Sequence, residues 1–126
     1  MNIDNPSYND WLAGTELPPG SKYDGEKPRT DLLDPLALEG LAKVLAFGAK
    51  KYAAHNWRGG ISYCRLLGAA LRHSFAILRG EDIDPESGLP HVDHLGCCWM
   101  FLSNMMKTRP DLDDRWLPIP PGKTVE

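Results

Sequence analysis

Cysteine is scarce, and the three present (Cys64, Cys97, Cys98) show neither disulfide-framework spacing nor a C-x-x-C pair. That excludes a disulfide-stapled fold and a thiolate metal cluster. It fits a reducing, cytoplasmic setting in which all three are expected to be small core residues. Long apolar runs are also missing: none approaches the roughly 18–20 residues that cross a bilayer. The opening M-N-I-D-N-P lacks the basic and apolar regions of a secretion signal, so a cytoplasmic location and no membrane partner are expected. There is no excess of positive charge; the formal net charge is −3, which gives no ground for a nucleic-acid partner bound through its phosphates. Strand-like alternation, internal repeats and a G-x-x-x-x-G-K-[ST] loop are all absent, so any nucleotide is not cradled in P-loop fashion. With 126 residues, 42% hydrophobic and 25% charged, the chain has material for one domain and one modest core.

Proline is missing where it matters. The eleven prolines lie at or before Pro35 or at or after Pro85, leaving residues 36–84 as a window in which helices can run, broken only at H-N-W-R-G-G (His55–Gly60). A first helix is predicted from Asp34-Pro35, an acidic N-cap followed by proline at the first helical position, to about Ala54. Leu38, Leu41, Leu45, Ala49 and Tyr52 share one of its faces, while Glu39, Lys43 and Lys50 share another stripe. A second is predicted from Ser62 to near Gly80, with Cys64, Gly68, Leu71, Phe75 and Leu78 as its apolar stripe. A third runs from Pro90 or His91 to about Lys107, and its centre, L-G-C-C-W-M-F-L, is apolar all round. The expected fold is therefore all-α, a small bundle of three main helices. The third helix has more apolar surface than two neighbours cover, so completion by homo-oligomerisation, as a dimer or tetramer, is expected. Residues 1–33 read as an irregular arm, 34–107 as the helical core, and 108–126 as a proline-rich tail in which Trp116, Leu117 and Ile119 dock on something apolar.

The densest chemistry lies in R-G-E-D-I-D-P-E-S-G-L-P-H-V-D-H. Five carboxylates (Glu81, Asp82, Asp84, Glu86, Asp93) and two histidines (His91, His94) sit between two strongly apolar stretches. Uncompensated negative charge at the mouths of core helices is costly, and a divalent cation relieves it; oxygen-rich donors suit Mg²⁺ or Mn²⁺. His91 and His94, at i and i+3, project from one face near a helix start. The competing reading is a polar turn with a satisfied core histidine. His73, mid-helix, is either a hydrogen-bonded structural residue or a catalytic base. Arg65, Arg72 and Arg79 recur every seven residues and, with Lys43, Lys50 and Lys51, form either a phosphate-binding wall or solvated faces paired to nearby acids. In H-N-W-R-G-G, Trp57 either stacks on a base whose edge Asn56 reads, or plugs the turn between two helices.

Four blocks in order carry a resemblance: K-Y-D-G-E-K-P-R-T-D-L-L, F-G-A-K-K-Y-A-A-H-N-W-R-G-G, R-L-L-G-A-A-L-R-H, and the acidic–histidine segment. From about Lys22 to Leu102 the chain resembles the bacteriophage dATP/dGTP diphosphohydrolase family, related to the MazG-like all-α nucleotide pyrophosphohydrolases. The resemblance implies a helical fold associating through helix bundles. It also implies Mg²⁺- or Mn²⁺-dependent cleavage of a purine (deoxy)nucleoside triphosphate to monophosphate and pyrophosphate, in the nucleotide pool of a phage or prophage. MazG-like enzymes carry E-x-x-E on an early helix and E-x-x-D on a later one. Here Glu39 stands alone, since position 42 is alanine, and E-x-x-D spacing occurs at Glu81–Asp84. The metal set is then expected to be Glu39, Glu81, Asp84, His91 and His94. Lys43, Arg72 and His73 are assigned to catalysis, and Lys50, Asn56, Trp57 and Arg65 to the nucleotide. Two alternatives stand beside this: a protein that binds and sequesters a nucleotide without cleaving it, and an HD-type phosphohydrolase built on His73, His91, Asp93 and His94, against which the order D-H at 93–94 counts.

Overall fold

The computed structural model describes residues 18–118. Among them are three α-helices, α1 (Pro35–Lys51), α2 (Tyr63–Leu78) and α3 (His91–Thr108), with 3-10 turns at Thr30–Leu32, Asn56–Gly59 and Pro110–Leu112. No strand occurs among the described residues; one isolated bridge joins Ile83 to Pro90. The expected all-α class holds. None of the described helices is long and apolar enough to cross a membrane. Two units separate at Leu32/Leu33. In the described part of the first, Arg29 forks onto Asp31 at 2.8 Å through both nitrogens, holding that carboxyl below its usual range.

In the second unit, α1 begins as its sequence dictates: the Asp34 carboxylate accepts from the Ala37 N–H at 2.9 Å, with proline next in line. It stops at Lys51 rather than near Ala54, because His55 takes a left-handed conformation (φ 63°) and the chain tightens into the Asn56–Gly59 turn. Ser62 occupies the N-cap position of α2 but makes no capping bond. Asp114 from the C-terminal tail does that work instead, accepting from the Cys64 N–H at 2.8 Å. The other end of α2 closes in a Schellman motif. Gly80 sits at φ 88°, its N–H bonding Ile77 O, and the Glu81 N–H reaches back to Ala76 O, both at 2.9 Å.

Helix α3 is the shared element, packing against both α1 and α2, and against the Pro110–Leu112 turn. Tyr63, Leu66 and Met105 form the buried cluster, with Trp57, Ile61, Phe101, Leu102 and Leu112 around it. The Tyr63 hydroxyl lies 3.2 Å from the carbonyls of Met105 and Arg109, so its proton is satisfied inside the core.

The buried faces differ from those read off periodicity. On α2 the buried residues are Tyr63, Leu66 and Ala76, whereas Leu71, Phe75 and Leu78 are exposed. The face covered by α3 also carries His73, and a polar residue there weakens the apolar signal of the true inner stripe. On α1 the buried residue is Val44, and Leu38 and Tyr52 lie exposed. Helix α3 is not covered all round by the described residues: Val92, Trp99 and Met106 are exposed. Cys97 is buried, with its thiol pushed up to about 12 by desolvation, but Cys64 is exposed, because α2 turns it toward the tail at Asp114. In that tail Leu112 does the packing, while Trp116 is 84% exposed; Ile119 lies outside the described residues.

Candidate functional site

The segment joining α2 to α3 is folded back on itself by its own backbone. Asp84 N–H bonds Leu89 O at 2.9 Å, Asp84 O accepts from Gly88 at 2.7 Å, and Gly88 takes φ 72°, a conformation that suits glycine. The Asp84 carboxylate accepts from the Glu86 N–H at 2.9 Å through Oδ1. Asp82 O takes the His91 N–H at 2.8 Å, pinning the start of α3. With the loop so held, Asp84 Oδ2 lies 3.5 Å from His94 Nε2, and Glu81 Oε1 3.6 Å from His91 Nε2.

His73, from the middle of α2, completes the group. Its ring stacks on that of His94 (centroids 4.8 Å apart, planes at 8°), and its Nδ1 sits 2.9 Å from His91 Nδ1. Ser87 Oγ is 2.6 Å from His94 Nε2. One donor atom from each of His73, Asp84 and His94 falls within 4.8 Å of the others. Burial, with the neighbouring His94 and His91 adding to it against Asp84, lowers the His73 pKa. That leaves its imidazole neutral and able to offer a lone pair. His91 Nε2 is buried and has no hydrogen-bond partner, an unusual condition that calls for an explanation.

This cluster opens into a groove of about 1430 Å³ whose walls come from α1, the Asn56–Gly59 turn, α2, the acidic loop and α3. Arg65 and Arg72 of α2 and Arg79 at its C-cap line it, and Lys51 enters from α1, bonded at 2.6 Å to Glu86. A carboxylate–imidazole cluster beside a wall of guanidinium groups can hold a cation and a polyanion side by side.

Residues 18–115 match the family described as dATP/dGTP diphosphohydrolase, N-terminal. The chain belongs to that family. A relative named dATP/dGTP diphosphohydrolase, from Salmonella phage PMBT28, is 39% identical over 104 residues, which cover 82% of this chain and 36% of the relative. The chain thus spans about a third of that relative's length. No solved structure matches it.

In this family member, the residues singled out from sequence divide in two. His73, Glu81, Asp84, His91, His94, Arg65, Arg72, Asn56 and Trp57 all line the groove. Glu39, Lys43 and Lys50 do not; they stand exposed on α1. The lining begins at Val44, and the half of α1 that carries Glu39 and Lys43 lies close on α3: a Cβ on Gly40 would fall 2.5 Å from Asp93 Oδ2. The same contact turns Asp93 toward α1, so His73 and His94 gather around Asp84 and not around Asp93. The cation supplied by the end of α1 is Lys51, and Lys50, about 100° round the helix, is not part of the lining. Trp57 is engaged as a plug: Phe101 stacks on its ring at 4.7 Å and the Arg58 guanidinium lies over it at 4.5 Å. Ser87 was not singled out from sequence, and its only signal is a place in the turn D-P-E-S-G-L-P. His73 carries a stronger one, a histidine inside the run that packs on the helix bearing His91 and His94.

Proposed function

We propose that this chain hydrolyses purine deoxynucleoside triphosphates to the monophosphate and pyrophosphate, with a divalent cation held by His73, Asp84 and His94. Family membership and the activity named for the phage relative support the substrate class. The observation that carries the reading is the His73–Asp84–His94 cluster at the foot of a groove lined by Arg65, Arg72 and Arg79. Bound there, a divalent cation supplies charge neutralisation for the triphosphate and lowers the pKa of water. The protein's own groups do the rest. The guanidinium of Arg72, next in sequence to His73, pairs with phosphate oxygens bidentately, and Arg65 and Arg79, two turns to either side, take the remaining oxygens. As the water oxygen bonds to the α-phosphorus and its proton passes to solvent, the α–β bridging oxygen leaves with pyrophosphate, and the arginines stabilise the charge it gains. Asp84, fixed by three hydrogen bonds through its N–H, C=O and carboxylate, keeps its free oxygen on the cluster during this change.

The test is incubation of the purified chain with each of the four dNTPs and Mg²⁺ or Mn²⁺, followed by chromatography. Monophosphate plus pyrophosphate from dATP or dGTP is the expected result. No such products from any dNTP overturns the hydrolase. A second reading, a nucleotide-sequestering protein, draws on the position of Glu39, exposed outside the groove, and on Ala42 in place of a second carboxylate. Calorimetry with the metal chelated separates the two: a sequestering protein keeps its affinity and returns the nucleotide intact, and a metal-dependent hydrolase loses most of its affinity. We also propose that the chain self-associates through the exposed apolar residues of α3.

A further inference from the structure

We infer that the His73–Asp84–His94 cluster is built for a first-row ion that accepts imidazole nitrogen more readily than Mg²⁺ does, Co²⁺ or Zn²⁺ foremost and Mn²⁺ after them, and that His91 and Glu81 are the groups that orient His73 toward it. This rests on the cluster being the metal centre proposed above. Mg²⁺ demands oxygen donors in near-ideal octahedral array and gives up water reluctantly, whereas imidazole nitrogen suits later first-row ions. Two of the three donors that converge here are imidazoles. The carboxylates that would make an oxygen cage point elsewhere: Asp93 toward α1 at Gly40, and Glu86 to Lys51. Glu39 stands exposed outside the groove lining.

One hydrogen bond behind His73 bears on which nitrogen it offers. Its Nδ1 faces His91 Nδ1 at 2.9 Å, so one of the two carries the proton between them. With that proton on His73, its Nε2 is left bare to ligate, and His91 accepts through Nδ1 and carries its own proton on Nε2. That Nε2 is the buried atom without a partner, and Glu81 Oε1 lies 3.6 Å from it. Closing that 3.6 Å gap makes Glu81–His91–His73 a carboxylate–histidine relay of the kind that fixes a metal ligand's tautomer and ring orientation. It accounts for an orphaned nitrogen on a histidine side chain only 8% exposed. Glu81 and His91, read from sequence as ligands, become positioning residues. At His94 the Ser87 hydroxyl, 2.6 Å from Nε2, is the group an ion replaces.

The experiment uses the whole chain, stripped with a chelator and free of nucleotide. Mn²⁺ binding is followed by electron paramagnetic resonance and Co²⁺ binding by visible absorption, each in competition with Mg²⁺. The expected result is at least tenfold preference for Mn²⁺ and Co²⁺ over Mg²⁺, with Co²⁺ bands shifted as nitrogen coordination requires. His94→Ala should lose at least tenfold in Mn²⁺ affinity. His91→Leu should lose about 10–100-fold, and His91→Gln, whose amide oxygen still accepts from His73, should recover most of it. Equal Mg²⁺ and Mn²⁺ affinity, or Mn²⁺ affinity unchanged in His94→Ala, overturns the inference. If circular dichroism shows a variant unfolded, the Mg²⁺ competition on the unaltered chain decides alone. Full dGTP turnover with Mg²⁺ and no Mn²⁺ binding at the cluster sinks the inference and leaves the hydrolase standing. Tight Mn²⁺ binding with no turnover of any dNTP does the opposite.

Discussion

Gly40 and Gly48 lie on the same helix, and one added methyl group should move stability in opposite directions at the two. At Gly48 a Cβ meets nothing within 4 Å, so Gly48→Ala keeps only the helix-propensity gain, up to about 1 kcal/mol. At Gly40 the same Cβ lands 2.5–2.7 Å from the Asp93 carboxylate. Overpacking typically costs about 1–3 kcal/mol, which exceeds that gain. Urea titrations should show Gly48→Ala more stable and Gly40→Ala less, with Asp93→Ala restoring the latter. An unchanged Gly40→Ala midpoint would mean that α1 does not lie this close to α3. Sequence alone marks both positions as helical glycines and nothing more, because the close approach is set by residue 93 on another element. His91 and His94 were legible as a pair through their i, i+3 spacing. His73 joined them from sequence only in the HD-type alternative, since its distance to them depends on the register of α2 against α3.

At the scale of elements, the starts and stops written in local chemistry were readable: Asp34-Pro35 opens α1, Gly80 closes α2, and the Pro90–His91 step opens α3. What sequence could not supply was the cap of α2, because Asp114 reaches it from the far end of the chain. That arrangement makes the tail acid-sensitive. Accepting the Cys64 N–H holds Asp114 below its ordinary value of 3.8. Side-chain and backbone hydrogen bonds from Arg115 take Asp113 down to about 2. Both carboxyls have folded values below unfolded ones, so their contribution is fully present above pH 3.8 and lost as pH falls through the folded values, for Asp113 to about 2. The melting temperature should therefore drop between pH 4 and pH 2. Asp114→Asn should lower it at pH 7 and flatten that drop. An equally steep fall in Asp114→Asn would show that the tail does not cap α2 in solution.

For the whole molecule, the telling surface is the side of α3 that neither α1 nor α2 covers. Val92, Trp99 and Met106 recur at seven-residue spacing and are 58%, 65% and 49% exposed, with half-buried Leu95 and Leu102 between them. Apolar residues at positions 92, 95, 99, 102 and 106 follow the a and d pattern of a helix that seats against another helix. Beside them, Leu66 and Ala70 of α2 help to bound an apolar groove of about 380 Å³. The all-round apolar character of α3 was legible in sequence, and the described residues leave much of this stripe to water. Contiguous apolar surface of this kind marks an interface, and a heptad stripe is self-complementary about a two-fold axis. Light scattering behind a sizing column should return a dimer or tetramer of the 14.0 kDa chain. Trp99→Lys should yield a folded monomer by circular dichroism, since the ring is already mostly outside the core. The His73–Asp84–His94 cluster draws no residue from that stripe, so monomeric Trp99→Lys should keep its Mn²⁺ affinity. A parent chain that sediments as a monomer at high micromolar concentration would leave the stripe without a partner of its own kind. Loss of Mn²⁺ affinity in folded, monomeric Trp99→Lys would mean that the cluster needs the neighbouring subunit to hold its shape.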